Sequence, residues 1–284
     1  MGTQFQFEVI IPVKDRSEII QCVQSLQLVE LITKILICDG GSTEINCMKS
    51  LQKLENQDQV EILQFPSVGF NKSKLINQGI YHSQAEFLLI SDADIIWNQA
   101  TLDGMLKLVS ANNNTLCYVK TVEETHPNTV ALKRDAYTYK IRDCQDTAFI
   151  DIIQAPKYQS HSRPGCGLIC AKRTTLLALG GYKEIFTGWG WEDQDLLMRA
   201  FLLEMRLSAI GKVVHISHSD EVRNKHNGNL APSQSRNFNI ISCLESLSQG
   251  MLTGDLPIKI KKTTRYQQIF IQLPSTLISN ESTI

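Results

Sequence analysis

Three stretches of this 284-residue chain carry side chains fit for chemistry. In the first, Gly188, Trp189, Gly190 and Trp191 run into Glu192, Asp193, Gln194 and Asp195, with an apolar run at 196–198 behind them. The glycines permit a tight loop with close backbone approach. The indoles offer flat faces of the kind that stack on sugar rings. The carboxylates fall at the start of a helix predicted to reach about residue 203, where the helix dipole favours the ionised form. A carboxylate held ionised beside an aromatic wall can take a proton from a bound hydroxyl. On this reading the dipole lowers the pKa of Asp193 and guarantees its charge at neutral pH.

The second stretch is Asp92-Ala93-Asp94, directly after an apolar run at 86–90. Two carboxylates flanking one residue at a strand end can hold a hard divalent cation by one or two oxygens. The cation's other positions stay open for phosphate. The third stretch holds His215 and His218 behind an apolar strand. Imidazoles suit a borderline divalent metal, and one of the pair is expected on it. The chain has no G-x-G-x-x-G opening a helix after its first strand and no Walker A loop, so phosphate must be neutralised in some such way.

Elements that can position these residues are legible on either side. Apolar, β-branched runs at 7–13, 33–38, 60–65 and 86–90 read as buried strands. Helices are expected between them: one capped by Ser17 and running to about 31, one capped by Thr43 and running to about 54, and one over 71–83. Such alternation predicts an α/β domain whose mostly parallel sheet is covered on both faces. Ligands then bind beyond the C-terminal strand ends, which carry Lys14 to Arg16, Asp39 to Gly41, Gly69 to Lys72 and Ser91 to Asp94. A helix at 101–110 and strands at 116–120 and 165–171 follow, the last with glycines that let a ligand come close. Residues 123–162 show a poor pattern and read as the variable acceptor side or a partly mobile loop. A helix at 232–249 carries Phe238, Ile241, Leu244 and Leu247 as its apolar stripe. Residues 258–262 and 268–273 read as short edge strands, and the polar loop at 224–229 as a segment closing over the ligand. The expected divisions are one domain over 1–250, in two halves at 1–98 and 99–250, and a C-terminal extension at 251–284.

Composition narrows the function. The formal net charge is -1, so nothing in the overall balance points to nucleic acid. The eight cysteines include no C-x-x-C pair, which favours reduced thiols over a zinc site or a disulfide framework. The N-terminal residues lack signal-peptide character and no segment has transmembrane length. The expected location is cytoplasmic, or peripheral at a membrane.

Together these residues resemble the inverting GT-A glycosyltransferases, in particular the β-1,4-galactosyltransferases and bacterial chondroitin-polymerase-type domains of families 2 and 7. Four motifs carry the resemblance over most of 7–240. They are Ile10-Ile11-Pro12 with Arg16, Phe70-Asn71-Lys72 through Lys74-Leu75-Ile76-Asn77 and Gly79, Asp92-Ala93-Asp94, and Gly188-Trp189-Gly190 with Glu192-Asp193. The resemblance implies a GT-A fold, a Rossmann-like nucleotide-binding half at 1–98 joined to an acceptor-binding and catalytic half at 99–250. It implies transfer of a sugar from a UDP-sugar to a hydroxyl of a saccharide or glycolipid-carrier acceptor, with manganese or magnesium as cofactor. Pro12, Lys14, Arg16, Asp39, Phe70, Lys72, Lys74, Asp92, Asp94 and Trp189 would contact the sugar nucleotide. Asp94 and His218 would ligate the metal, with His215 as a second imidazole ligand and Asp92 near ribose or metal. Trp189, Gly190, Trp191 and Glu192 would face the acceptor, and Asp193 would be the catalytic base. A catalytically silent sugar-nucleotide-binding module and a sugar-nucleotide nucleotidyltransferase are the alternatives. Val13 to Arg16 lacks the Gly-rich, basic loop that the second requires.

Overall fold

The computed structural model describes residues 6–126, 136–155, 161–219, 221, 225–226, 230–257, 262–274 and 277. Strands β1 (Phe7–Val13), β2 (Lys34–Asp39), β3 (Val60–Gln64) and β4 (Phe87–Ile90) alternate with helices α1 (Ile19–Gln27), α2 (Ile45–Glu55) and α3 (Lys72–His82), as the apolar runs predict. The chain continues through β5 (Ile95–Ile96), α4 (Gln99–Ala111), β6 (Thr115–Glu124), β7 (Ala136–Cys144), β8 (Thr147–Ala155) and β9 (Ser162–Lys172). It ends with α5 (Arg173–Ala178), α6 (Glu192–Leu202), β10 (Arg206–His215), α7 (Pro232–Ser248) and β11 (Gln268–Gln272). None of the helices is long and apolar enough to cross a membrane, among the described residues.

An eight-stranded sheet runs in the order β3-β2-β1-β4-β9-β6-β10-β5. β1 pairs in parallel with β2 and β4, β2 with β3, and β6 with β10. β9 is antiparallel to both β4 and β6, and β5 is antiparallel to β10. The period-2 geometry of a strand divides its side chains between two cores. Val9 and Ile11, Ile35 and Ile37, and Phe87 and Leu89 join α1, α2 and α4 on one face. Ile10, Leu36, Leu88 and Ile90 join α3, α5, α6 and α7 on the other. Both faces being covered explains why the strands read as continuous apolar runs. Gly79 lets α3 lie directly on β1, because a Cβ there would overlap the Ile10 side chain.

Four local expectations are corrected. Residues 123–162 are not chiefly a loop: β6 extends to Glu124, and β7 and β8 form an antiparallel hairpin. That hairpin and β11 make a three-stranded sheet in the order β11-β8-β7. Tyr137, Tyr139 and Ile141 pack against the core while their neighbours face outward. Thr43 does not cap α2; Asp15, from the loop after β1, takes the backbone amides of Thr43 and Glu44 at 2.6 and 2.7 Å. Nor does Ser17 cap α1, whose N-cap is Glu18 with no side-chain cap bond. On α7, Phe238 is 42% exposed, and the buried face holds Ser235, Arg236, Asn239, Ile240, Cys243 and Leu247 beside Leu244.

Described residues past 250 contribute to the same core. Leu252, Leu256 and Tyr266 are buried in it, and β11 pairs in parallel with β8. The edge strand expected at 258–262 lies, save for its last residue, outside the described residues. Gly254 and Leu256 donate their amides to the carbonyls of Leu179 and Gly180. Gly254 packs backbone to backbone on Gly180 and Gly181, leaving no room for a Cβ there.

The turn after α5 is also held from α6. Arg199 is fully buried and donates to Asp195 Oδ2 at 2.7 Å, to the Leu179 carbonyl at 2.9 Å and to the Gly181 carbonyl at 3.0 Å. Lys183 reaches Asp195 Oδ1 at 3.2 Å and donates to Ser246 of α7. Removing one partner of a buried ion pair leaves the other uncompensated, which typically costs about 3–5 kcal/mol. Arg199→Ala should therefore lower the unfolding free energy by about that amount in a urea titration. A loss under about 1 kcal/mol would mean that the network carries no such weight.

Candidate active site

The Asp94 end of the site is assembled by strand pairing. β10 lies between β6 and β5, with His215 opposite Glu124 on one side and Ile95 on the other. The Ile216 amide donates to the Asp94 carbonyl at 2.9 Å, extending the pairing by one residue. Below the Asp92-Ala93-Asp94 turn, Ser91 Oγ donates to the Asp92 carbonyl at 2.9 Å and accepts from Trp97 Nε1 at 2.8 Å. The outcome is a cluster of Asp94, His215 and His218 whose ligand atoms all lie within 4.8 Å of one another. Each imidazole Nε2 stands 3.4 Å from Asp94 Oδ2. Neighbouring ligands of a six-coordinate ion with bonds of about 2.1–2.3 Å are about 3 Å apart, so the set fits a divalent cation. Two imidazoles and one carboxylate are a mixed donor set, suited to a borderline ion.

Charge is balanced tightly there. Burial would raise the Asp94 pKa, but His215, Arg16 and hydrogen bonds from the two histidines hold it well below the usual carboxylate range. Burial alone would lower the His215 pKa; Asp94 and Glu124 instead raise it to about 9. A divalent cation would take the place of that proton, since metal binding requires the neutral imidazole. Asp92 does not join the cluster. Its carboxylate pairs with Lys72 at 2.7 Å. Arg16 pairs with Asp94.

The Asp193 end is built by the turn into α6. Gly188, Gly190 and Trp191 all have positive φ, with Trp191 at 79° as the N-cap. A left-handed conformation costs a bulky residue about 1–3 kcal/mol. Burying about 200 Å² of indole at ~25 cal/mol/Å² contributes on the order of 5 kcal/mol, which outweighs it. The Trp191 ring is accordingly only 4% exposed in the core. This corrects the expectation that Trp191 faces the acceptor: in the core it offers no open ring face. Trp189 remains partly exposed.

Polar groups of α7 hold this turn. Ser235 Oγ accepts from the Trp189 amide at 2.8 Å, and Asn239 Nδ2 donates to the Gly190 carbonyl at 2.7 Å and the Thr187 carbonyl at 3.1 Å. Sequence reasoning missed both, because a Ser and an Asn within a helical pattern read as solvent-facing. Arg236 lies alongside Gly190 and over the Tyr137 ring, 4.7 Å from its centroid.

Asp193 meets Lys72 at β9. A Cβ at Gly167 would sit 3.3 Å from Asp193 Oδ2 and 3.4 Å from Lys72 Nζ, so this glycine keeps the space between them open. Lys72 bridges Asp92 and, at 3.2 Å, Glu192, which is itself buried. The dipole expectation for Asp193 is overturned. Burial, reinforced by the Glu192 charge, pushes its carboxyl up to about 7 against Lys72 and the Gln194 amide. A base with a pKa near 7 is better matched to proton abstraction at neutral pH than one held low.

The remaining nucleotide candidates line the ends of β1, β2 and β3. Asp39 is buried, and its Oδ1 accepts from the amide and hydroxyl of Ser42. Lys14 donates to the carbonyls of Ser67 at 2.6 Å and Gly69 at 2.8 Å, which orders the loop after β3. Pro12 is buried opposite Cys38 of β2, and Phe70 is partly buried against the core. Asn71 caps α3 through the Lys74 amide, while the Lys74 side chain is exposed and outside the Lys72 cluster. From the loop beyond His218, His226 Nε2 lies 3.0 Å from Asp15 and Lys225 pairs with Glu44. The rest of the closing segment expected at 224–229 lies outside the described residues.

Residues 8–239 match the family described as glycosyltransferase like family 2. A search of the curated proteins gives no match. Among solved structures, GalNAc-T7 with UDP, GalNAc and Mn2+ superposes with a TM-score of 0.60 at 12% identity, covering 86% of this chain and 48% of that one. The present chain thus spans about half the length of that protein's structure. TarS of S. aureus, residues 1-349, gives a TM-score of 0.53 at 16% identity, covering 87% of this chain and 73% of that one. The mannosyltransferase PcManGT from Pyrobaculum calidifontis, in complex with GDP-Man and Mn2+, gives 0.50 at 15% identity, covering 90% and 78%. At such identities the likeness is one of fold, and the fold is GT-A. The family match spans most of the chain and both ends of the site, and on that ground the chain belongs to the glycosyltransferase-like family 2.

Proposed function

We propose that this family member is an inverting, metal-dependent transferase that moves a sugar from a UDP-sugar to a hydroxyl of a saccharide or glycolipid-carrier acceptor, in the building of a surface glycan or polysaccharide. One observation carries the reading. The strand ends hold a His-His-Asp cluster fit for a divalent cation, and Lys72, paired with Asp92 and Glu192, links that end to Asp193 beside Gly167.

Asp94, His215 and His218 would hold the cation, and the mixed donor set favours manganese over magnesium. Bound there, it would supply Lewis-acid stabilisation of the charge on the UDP leaving group. The chain's own groups do the rest. Asp39 and Phe70 receive the nucleoside, and Lys72 carries positive charge into the crevice between Asp92 and Glu192. The partly exposed Trp189, with Gly190, borders sugar and acceptor, and Glu192 orients the acceptor. Asp193 accepts the proton of the acceptor hydroxyl as its oxygen attacks the anomeric carbon. The bond from that carbon to the UDP oxygen breaks, and the configuration inverts. The requirement on Asp193 is position as well as basicity.

Asp193→Asn keeps the shape of the base and removes its function, so turnover should fall by roughly 10²–10⁴-fold with UDP-sugar affinity retained. Near-normal turnover would transfer the role to Glu192. The raised pKa sets a second expectation. The base must be ionised, so activity should be full above about pH 7 and decline as pH falls through that value. A flat profile from pH 5 to 8, on the order of the range over which such a group titrates, would rule Asp193 out. For the cation, Asp94→Ala should abolish the manganese-dependent part of UDP affinity in calorimetry, and an unchanged manganese dependence would reject the site.

A further inference from the structure

Glu124 was not anticipated by any motif, yet its buried carboxylate beside the site has three side-chain partners. It ends β6 opposite His215 in the β6–β10 register and is 7% exposed. Its Oε2 lies 2.6 Å from His215 Nδ1 and accepts from Ser217 Oγ at 2.7 Å. Its Oε1 accepts from Arg163 Nε at 3.0 Å. Hydrogen bonding continues past the strands: the Thr125 amide donates to the His215 carbonyl, and the Ser217 amide to the Thr125 side chain at Oγ1. Carboxylate and imidazole are therefore both held in place.

The consequence is chemical. An ionised carboxylate only accepts, so the imidazole nitrogen facing it must carry a proton. That nitrogen is Nδ1. The other nitrogen, Nε2, faces Asp94 Oδ2 at 3.4 Å, and with a cation in place of the second proton its lone pair is the one left to ligate. His218 is set differently, its Nδ1 lying 2.9 Å from the Ser219 carbonyl. A carboxylate makes an imidazole more basic than a neutral carbonyl does, so the two ligands are unequal.

We propose that Glu124 is the positioning residue of the metal centre: it fixes the tautomer and ring plane of His215 and strengthens Nε2 as a ligand. This rests on reading Asp94, His215 and His218 as that centre. Glu124 touches neither substrate nor metal and acts through His215. A purely structural role is the competing account, in which Glu124 only neutralises Arg163.

Titration of Mn2+ alone into the purified chain, followed by the electron paramagnetic resonance signal of the free ion, separates the two. Loss of such an outer carboxylate costs about 10–100-fold in metal affinity, and Glu124→Ala should show a loss in that range. Glu124→Gln should recover part of it, because an amide oxygen still accepts from Nδ1 but carries no charge. Arg163→Met should bind Mn2+ within about threefold of the original chain, well short of that range. Equal affinity in Glu124→Ala and the original chain overturns the proposal. So does an equal loss in Arg163→Met. If Glu124→Ala does not fold, a Glu124→Gln variant that binds Mn2+ as tightly as the original chain overturns it as well. Failure of the centre itself looks different: the original chain would bind no Mn2+, or Asp94→Ala would bind it equally well.

Discussion

The placement of β10 is the constraint on which the site depends. It is parallel to β6 and antiparallel to β5, so its last residue has a fixed neighbour on each side. His215 thereby stands between Glu124 and the Asp94 turn, although these residues are far apart in the chain. A strand's side chains alternate, so a slip of one residue would turn His215 to the other face and dissolve the cluster. Hydrogen-bonded pairing, more than any single side-chain contact, sets the geometry of the Asp94 end.

The Asp193 end depends on a different device. A turn that puts a bulky indole residue at positive φ is unfavourable in isolation, and here it is held by burial of the Trp191 ring and by Ser235 and Asn239 of α7. Behind it, Asp195 and Arg199 tie α6 to the Leu179–Gly181 backbone, and Asn77 of α3 donates to the Tyr182 carbonyl at 2.9 Å. The same helix, α3, begins with Lys72. Buried polar contacts thus tie α6, which carries Asp193, to α3, which carries Lys72, with β9 reduced to glycine where the two side chains come closest.

Much of this was legible in the sequence, for identifiable reasons. β1 to β4 are buried on both faces, so they appear as unbroken apolar runs. Asp94, His215, His218 and Asp193 stand out because their residue types are rare in such surroundings. β7 and β8 were not legible, since one face of that hairpin is exposed and its polar residues conceal the alternation. Glu124 was hidden for a related reason: a Glu after Glu123 at a strand end reads as a solvated pair until β10 is placed beside it. Trp191 misled because an indole before an acidic turn suits a sugar platform and a core plug equally well. The pKa of Asp193 was misjudged because the dipole is a property of local sequence, whereas the burial that outweighs it comes from distant elements.

The account's central claim is that one crevice aligns an acceptor hydroxyl, activated by Asp193, behind the bond to UDP. The stereochemistry of the product tests it most directly. With Mn2+, an α-linked UDP-sugar found by a binding screen and a saccharide acceptor, proton NMR of the fresh product reads the configuration of the new glycosidic bond. A single in-line displacement predicts a β-linked product formed together with free UDP. An α-linked product would contradict the account, since Asp193 could not then be the base of a one-step inversion.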